Sequence, residues 1–324
     1  MDILFFITIT GIAALLTRLL LRHLKNFDVP NERSSHTQLT PRGGGIAIML
    51  AFLLALIFSA QLPVDTRSFS GYLLAAFLIA AISLYDDFKR LSFKIKLAGF
   101  LLAMLLAIGS GNVIAPGLGW WLLTLLWMMG LTNACNFMDG LDGLVASTAV
   151  IAALFLAGIA FIQGSHSVYW MALSLAAATA GFLFYNWSPA KIFMGDVGST
   201  FIGFTFAVLA VANYNEAQIS YLVLPLLFFH FIYDTAFTFF RRLLKGENVF
   251  TAHRSHLYQL LNRSGFSHQR VTLIYAAMAL AQGVIALWMV NHPAVAPLLV
   301  GLPLLLFYVF YAVWVLHRAN HLLK

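Results

Sequence analysis

The amino-acid sequence predicts an all-α, polytopic integral membrane protein with about eleven transmembrane helices. Of its 324 residues, 61% are hydrophobic and only 10% are charged, which is too apolar for a water-soluble globular protein. Long apolar runs recur along the whole chain, and a spanning helix needs about 20 such residues. The runs lack the alternation of polar and apolar residues that marks the strands of a membrane barrel. Helices are therefore the predicted spanning elements.

Two of the eleven candidate spans, the third and the fifth, are short. The runs cover residues 3–21, 44–62, 71–85, 97–113, 119–134, 143–162, 168–185, 199–214, 220–240, 271–290 and 296–316. The first run has neither the basic start nor the small-residue cleavage site of a signal peptide, so we expect it to remain as a helix. No stretch between the runs reads as a separate soluble domain. We therefore predict a single membrane-embedded domain over residues 1–324.

The distribution of Lys and Arg predicts the orientation of the chain. All of them except Arg67 lie in, or at the ends facing, one set of loops: residues 22–43, 86–96, 187–198, 241–270 and the C-terminal tail. Basic residues accumulate in cytoplasmic loops, so the N-terminus is predicted outside and the C-terminus in the cytoplasm. This topology, with anionic lipid or phosphate ligands, accounts for the net charge of +7, and nothing calls for nucleic acid. A single cysteine, Cys135, excludes intramolecular disulfides and Cys-based metal sites.

The unusual polar residues all fall on the predicted cytoplasmic side. LTNACNFMDGLDGL places Asn133, Asn136, Asp139 and Asp142 three residues apart between the fifth and sixth spans. On an unbroken helix this spacing would rotate successive side chains by about 60°. The two glycines of DGLDG predict a break instead, and a broken helix end can turn several oxygens toward one point.

Three further loops carry polar clusters on the same side. Asp86 and Asp87 end the third span; FYNWSPAKIFMGDVGST joins the seventh and eighth spans; FTAHRSHLYQLLNR lies between the ninth and tenth. Carboxylate and amide oxygens without cysteine suit Mg²⁺ or Mn²⁺ better than Zn²⁺, and Mg²⁺ is usually shared with substrate phosphates. The predicted countercharges for such phosphates are Lys94, Lys96, Lys191, Arg42 and Arg254.

Several of these residues also have a purely structural interpretation. Asp142 and Asp196 lie near predicted helix starts, where a carboxylate caps free N–H groups. Asp86 and Asp87 could pair with the neighbouring KR dipeptide, residues 89–90. His253 and His256 could be ordinary interfacial histidines.

The glycine run TPRGGG opens the second span and has two interpretations. Arg42 and the N–H groups of Gly43 to Gly45 could hold an anion at a helix N-terminus. The glycines could equally serve close helix packing or a flexible entry turn.

Six motifs together resemble a known family. They are PNERSSHTQLTPRGGG, YDDFKR, NACNFMDGLDGL, NWSPAKIFMGDVGST, DTAFTFFRR and HRSHLYQLLNRSGF. In order and spacing they resemble the polyprenyl-phosphate N-acetylhexosamine-1-phosphate transferases, glycosyltransferase family 4. The resemblance implies that undecaprenyl phosphate attacks the sugar-bearing phosphate of a UDP-N-acetylhexosamine, with Mg²⁺ as cofactor and UMP as leaving group. It further implies a bacterial inner membrane location, with the active site facing the cytoplasm, and that a homodimer can form.

The resemblance also implies roles for individual residues. Asp86 and Asp87 match an aspartate pair near the lipid phosphate, and Asp139 is counted with them as catalytic. Asp196 matches the metal ligand, with Asn133 and Asn136 as candidate ligands or diphosphate contacts. The implied nucleotide-binding residues are Asp142, Asn186, Phe193 and Gly195. Phe193 would stack on uracil, and Asp139 also matches a position near the nucleoside. The implied contacts for substrate phosphates and sugar are Arg42, Lys96, Lys191, His253, Arg254 and His256.

The sugar end departs from the family pattern. Enzymes that use UDP-GlcNAc carry a His-Ile-His-His run where this chain has His256, Leu257, Tyr258 and Gln259. HRSHLYQ is closer to the subgroup that initiates O-antigen chains with other N-acetylated sugars, such as 6-deoxy-hexosamines. We therefore expect UDP-GlcNAc or a 6-deoxy relative (FucNAc or QuiNAc type) as donor, for O-antigen, lipopolysaccharide or other cell-wall glycan synthesis.

Two other functions fit parts of the pattern. An intramembrane prenyltransferase also combines many helices with aspartates and Mg²⁺, but its Asp-rich motifs have a different spacing. A transporter places its site near the bilayer midplane, whereas these clusters lie at helix ends. Asp234, about 10 Å deeper in the membrane than Arg241, is expected to have a structural partner rather than a catalytic role.

Overall fold

A computed structural model describes residues 2–24, 27–28, 39–59, 65–89, 91–217, 223–249, 251 and 253–322. Helices dominate this part of the chain, as the sequence predicts. They are α1 Asp2–His23, α2 Gly45–Phe58, α3 Thr66–Lys89, α4 Phe93–Gly109, α5 Leu118–Met138, α6 Leu144–Ile162, α7 His166–Asn186, α8 Gly195–Ala217, α9 Val223–Leu226, α10 Phe229–Leu244, α11 Leu257–Arg263, α12 His268–Asn291 and α13 Pro297–Arg318. Two short strands, β1 Phe27–Asp28 and β2 Thr40–Pro41, pair antiparallel.

Eight of the described helices are long and apolar enough to cross a membrane. They are α1, α3, α5, α6, α7, α8, α12 and α13. A helix lies in each of the eleven predicted runs, which confirms the all-α membrane class. The helices α2, α4 and α10 are shorter, with 14, 17 and 16 residues. The number of crossings and the orientation therefore stay predictions.

The third and fifth predicted spans are longer in the structure. Helix α3 has 24 residues and α5 has 21, because α3 continues through polar residues at both ends and α5 at its C-terminal end. Asp86 and Asp87 lie inside the last turn of α3, and Asn133 and Asn136 lie inside α5. A hydropathy window ends at such residues although the backbone remains helical.

The prediction of one continuous span over residues 220–240 is wrong within the described residues. The helices α9 and α10 are separated at residues 227–228. After Pro225 the chain makes a turn in which the Phe228 N–H donates to the Pro225 carbonyl at 3.2 Å. Helix α10 then continues to Leu244, past the predicted end. Residues 220–222 lie outside the described residues.

Helices α7 and α8 form the centre of the bundle. In their most apolar 18-residue windows, 72% and 83% of residues are buried. Small residues bring the neighbouring helices close: a Cβ on Gly45 of α2 would lie 2.2 Å from the Gly198 Cα of α8. Such close backbone approach is the usual packing mode of membrane helices.

One end of the bundle gathers most of the predicted polar clusters. The last turns of α3, α5 and α7 meet the first turns of α2, α6, α8 and α12 there. Residues 30–38 of the first family motif, and Arg90, lie outside the described residues.

Candidate active site

Three aspartates and two cations form one ion-pair network at this end. The Arg42 Nη2 atom lies 2.5 Å from Asp196 Oδ1 and 3.0 Å from Asp87 Oδ1. Lys96 Nζ lies 2.8 Å from Asp86 Oδ2 and also contacts Asp196. The network therefore joins the segment before α2 to the end of α3 and the starts of α4 and α8. Arg42 and Lys96 lie 154 and 100 residues from Asp196 in the chain, so folding brings the group together.

Asp87 caps the first turn of α8. Its carboxylate accepts hydrogen bonds from the N–H groups of Asp196 at 3.2 Å and Val197 at 3.3 Å. The interpretation of Asp196 as the cap of this helix is therefore wrong, because Asp87 fills that role and Asp196 faces the two cations. Gly195 precedes them at φ 75°, and a Cβ there would lie 2.8 Å from the Asp87 carboxylate. Gly195 is thus required by the packing at this turn.

Asp86 and Asp87 bind cations other than the adjacent Lys89, and the pairing with Arg90 stays a prediction. Asp86 accepts from the Leu91 N–H at 2.6 Å and pairs with Lys96, and Asp87 pairs with Arg42. Arg90 itself lies outside the described residues. The carboxylates therefore bind cations of other segments, which ties α3 to the rest of the site.

The N–H groups of the glycine run before α2 bind protein, not an anion. Gly43 and Gly44 donate to the Phe193 carbonyl at 3.2 and 2.9 Å, and Gly45 donates to the Met194 carbonyl at 2.9 Å. The predicted anion site at these N–H groups is wrong because they are already bonded. The alternative interpretation, close packing, is confirmed for Gly45. Arg42 remains in the site through its side chain.

Asp139 lies where α5 ends, as the glycines of DGLDG predict. Helix α5 stops at Met138 and α6 begins at Leu144, with Gly143 at φ 72°. Burial, together with the charges of Asp196 and Asp87, raises the pKa of Asp139 to about 7, although Arg42 opposes this shift. The end of α5 therefore adds a carboxylate to a region that already has an excess of negative charge.

The residues present fit a divalent cation in donor type and charge. Asp86, Asp87, Asp139 and Asp196 oppose only Arg42 and Lys96 among the network residues. Burial lowers the pKa of Arg42, but Asp196 and Asp87 raise it above its ordinary value, so Arg42 is a cation. Within the described part of the chain, no three His, Cys, Asp or Glu side chains group as a ready metal site. Mg²⁺ does not require one, since it is usually held by one or two carboxylates together with substrate phosphates.

The two asparagines predicted as metal ligands have protein partners for their amide nitrogens. Asn136 Nδ2 donates to Ser199 Oγ at 3.0 Å, and Asn133 Nδ2 donates to the Met129 carbonyl at 2.8 Å. Asn136 also hydrogen-bonds Asp196, which places it beside the network. Any role as ligand would use the amide oxygens, and it stays a prediction.

Two of the predicted nucleotide residues hold the loop between α7 and α8. Asn186 is buried; its Oδ1 accepts from the Gly143 N–H at 3.1 Å and its Nδ2 donates to the Ile192 carbonyl at 2.9 Å. Asp142 accepts from the Ala190 N–H at 3.2 Å and lies 3.2 Å from His268 Nδ1. Burial raises the Asp142 pKa, but the bond from His268 and others hold it below its ordinary value. The capping interpretation of Asp142 is thus replaced by a link between α12 and this loop.

The other two predicted site residues of that loop, Phe193 and Lys191, are at least partly exposed. Phe193 is half-buried, and its N–H donates to the Pro41 carbonyl at 2.8 Å. Lys191 is exposed, and its N–H donates to the Tyr185 carbonyl at 2.8 Å. Stacking of Phe193 on uracil and phosphate binding by Lys191 stay predictions.

The HRSHLYQ segment is anchored by Asp234, which confirms a structural partner for that buried aspartate. Asp234 accepts from His256 Nδ1 at 3.2 Å, from the Leu257 N–H at 2.8 Å and from the Tyr275 hydroxyl at 2.8 Å. His256 is therefore buried and committed at one nitrogen. His253 and Arg254 are half-exposed. Burial and the neighbouring His256 lower the pKa of His253 to about 4, so its ring is neutral at neutral pH.

Sequence reasoning missed three participants. Ser199 binds Asn136, His268 pairs with Asp142, and Tyr258 reaches the end of α5. Ser199 stands in MGDVGST and Tyr258 in HRSHLYQ, so the motifs contained both residues without indicating their partners. His268 follows an N-cap serine in an unremarkable segment, and nothing in its sequence context pointed to the site.

Comparison with known proteins gives consistent matches. Residues 69–214 match the model of glycosyl transferase family 4. A Bacillus subtilis protein named "Probable undecaprenyl-phosphate N-acetylglucosaminyl 1-phosphate transferase" is 34% identical over 267 residues, covering 76% of this chain and 72% of that protein. The decaprenyl-phosphate N-acetylglucosaminephosphotransferase of Mycobacterium tuberculosis is 32% identical over 298 residues, covering 79% and 74%. A phospho-N-acetylmuramoyl-pentapeptide-transferase of Lactiplantibacillus plantarum is 33% identical over 181 residues, covering 53% and 54%.

The family match coincides with the structural site. It runs from α3 to α8 and so contains every network residue except Arg42. The extended similarity to the Bacillus and Mycobacterium proteins covers more than two thirds of each partner. The chain therefore belongs to glycosyl transferase family 4, the family of polyprenyl-phosphate N-acetylhexosamine-1-phosphate transferases.

Proposed function

We propose that this chain catalyses the Mg²⁺-dependent transfer of an N-acetylhexosamine-1-phosphate from a UDP-sugar to undecaprenyl phosphate, with release of UMP. Family membership makes it a polyprenyl-phosphate sugar-phosphate transferase of the membrane. The observation that carries the finer proposal is the network of Asp86, Asp87, Asp196, Arg42 and Lys96. The carboxylates of this network can hold a metal ion, and its cations can hold phosphate oxygens, as the transfer of a sugar-phosphate to a lipid phosphate requires.

Positioning and charge neutralisation are the tasks that this reaction gives to the protein. A phosphate monoester has a second pKa near 6, so the lipid phosphate is already mostly a dianion at neutral pH. Asp86 and Asp87 therefore act mainly by holding Lys96 and Arg42 where the lipid phosphate arrives. A general base is not required to generate the nucleophile.

Asp196 is the residue that would hold Mg²⁺, with Asp87 beside it and Asn136 in contact. A bound Mg²⁺ supplies charge neutralisation for the diphosphate as it is split. When the nucleotide sugar binds, Arg42 and Lys96 exchange part of their contact with Asp196 for phosphate oxygens. The carboxylates thus keep both cations in position while no substrate is bound.

The sugar is either N-acetylglucosamine or a 6-deoxy N-acetylhexosamine. The names of the Bacillus and Mycobacterium relatives specify N-acetylglucosamine for those proteins. The resemblance of the HRSHLYQ segment to the O-antigen-initiating subgroup supports a 6-deoxy sugar for this chain. The glycan is a cell-envelope polymer, with O-antigen as the pathway that the segment favours.

The site faces the cytoplasm of a bacterial inner membrane, where nucleotide sugars are available. The bias of Lys and Arg supports this orientation. Family membership favours the transferase over the prenyltransferase and the transporter.

An assay of the purified protein tests the proposal. The protein is mixed with undecaprenyl phosphate, Mg²⁺ and a panel of UDP-N-acetyl sugars, and UMP is measured with and without EDTA. We expect UMP in strict dependence on lipid phosphate and Mg²⁺. A parallel reaction with a prenyl diphosphate and an aromatic acceptor, scored by inorganic diphosphate, tests the prenyltransferase. No turnover with any sugar of the panel would contradict the proposal.

A further inference from the structure

Tyr258 connects the HRSHLYQ segment to the end of α5. Its side chain is only 1% exposed, and its hydroxyl donates to the Phe137 carbonyl at 2.9 Å. Phe137 lies two residues before Asp139. The hydroxyl therefore fixes the backbone that presents Asp139.

Gly140 accommodates this hydroxyl from the other side of Asp139. A Cβ at Gly140 would lie 2.2 Å from the Tyr258 hydroxyl oxygen, and 3.1 and 3.3 Å from two ring carbons. Gly140 lacks the positive φ of Gly143, so an alanine there is limited by Tyr258 and not by the backbone. The turn on both sides of Asp139 is thus shaped around one phenol oxygen.

Tyr258 is itself held from behind. Asp234 accepts from the Tyr258 N–H at 3.1 Å and from the Leu257 N–H at 2.8 Å. The His256 ring stacks against both Phe137 and Tyr258. A buried carboxylate that receives several hydrogen bonds keeps its neighbours in one arrangement. The phenol is therefore rigid in relation to α10.

We propose that Tyr258 is a positioning residue. Its hydroxyl connects the HRSHLYQ segment to the turn that carries Asp139, and so holds Asp139 at the reacting diphosphate. The inference rests on the proposed function. The second half of the HRSHLYQ segment contacts protein. Gln259 Oε1 accepts from the His256 N–H at 3.2 Å, and the Tyr258 hydroxyl donates to Phe137. We assign contact with the sugar to His253 and Arg254, which are half-exposed.

Three variants test the positioning role of Tyr258, with UMP release and thermal melting as the measurements. Y258F removes one hydrogen bond, and we expect about tenfold lower kcat with an unchanged KM for undecaprenyl phosphate. G140A forces a clash, and we expect at least about tenfold lower kcat. In G140A/Y258F the oxygen at 2.2 Å is gone and only the ring carbons at 3.1 and 3.3 Å stay close, so activity should recover above that of G140A. If G140A does not fold, Y258F alone decides.

A matched control separates positioning from stability. Tyr72 is equally buried at 1%, and its hydroxyl bonds to Thr205 at 3.0 Å inside the bundle. Y72F should lower Tm as Y258F does while leaving kcat unchanged. The inference is overturned if Y258F has the kcat of the wild type, if Y72F loses as much activity as Y258F, or if the double variant is no better than G140A. Absence of turnover in the wild type would instead contradict the proposed function.

Discussion

Arg42 and Asp196, 154 residues apart in the chain, are 2.5 Å apart at the start of α8. The same Arg42 nitrogen contacts Asp87 at 3.0 Å, and Asp87 in turn caps the helix that carries Asp196. Removal of one of these three side chains would leave its charged partners uncompensated in a half-buried region, which lowers the free energy of unfolding. The pair therefore links the candidate active site to the packing of α2, α3 and α8.

Replacement of Asp196 with Asn should abolish Mg²⁺-dependent UMP release. Asn keeps the shape of the side chain but loses the charge that holds Arg42, Lys96 and the cation, so we expect a fall of at least about a hundredfold. The measurement is the rate at saturating Mg²⁺ in detergent, with protein yield and Tm as checks on folding.

D65N is the control for this variant. Asp65 precedes α3, at the opposite end of that helix from Asp86, and it binds Ser68 and the Arg67 N–H. Its loss of one negative charge should leave the rate unchanged. Turnover of D196N at the wild-type rate would contradict the assignment of Asp196 to the metal.

The orientation of the chain is testable with single-cysteine labels. Cys135 is buried, so it does not compete with an introduced thiol for a polar reagent. We expect K245C, after α10, to be labelled only from the cytoplasm and T66C, at the start of α3, only from outside. Labelling in intact cells and in inverted membrane vesicles measures both. The reverse pattern would show that the site faces away from the cytoplasm.

Hydropathy predicts the helices well but not their polar ends. The runs at 71–85 and 119–134 locate α3 and α5, yet Asp86 and Asn136 lie beyond those runs and still belong to the helices. The reason is that tertiary partners such as Lys96 and Ser199 satisfy these side chains, and a sequence window does not include them. Helix type is local information, whereas helix length here depends on contacts.

The residues of the site could be predicted from their clustering, but their pairing could not. From the sequence alone, Asp86 could be paired with the adjacent basic residues 89–90, whereas in the structure it binds Lys96. Gly45 could be assigned to an anion or to packing with equal reason, and its N–H bond to Met194 decides between them. Tyr258 was noted as a departure from a histidine and proves to be buried.

The HRSHLYQ segment should read the sugar through its first half. Substitution of residues 253–255 should change the ratio of kcat/KM between UDP-GlcNAc and a 6-deoxy UDP-sugar. The double variant Y258H/Q259H should lower the rate with both sugars and leave their ratio unchanged, because these positions contact protein. Kinetics with the two donors in parallel measure the ratio. A ratio that moves only with the second variant would place sugar selection at positions 258 and 259.

Asp139 should make the Mg²⁺-free protein less stable as pH rises. Burial and two neighbouring carboxylates raise its pKa to about 7 in the folded state, against about 3.9 when unfolded. The folded state therefore binds the proton more tightly, so stability is full below about pH 4, falls up to about pH 7 and is constant above. D139N does not titrate, and its Tm should exceed that of the wild type by a margin that grows from pH 4 to 7 and then levels. Groups common to both proteins cancel in this difference. Added Mg²⁺ should narrow the margin at pH 8, because a nearby cation lowers the pKa of Asp139. A margin independent of pH would instead mean that the pKa of Asp139 is not raised in the folded protein.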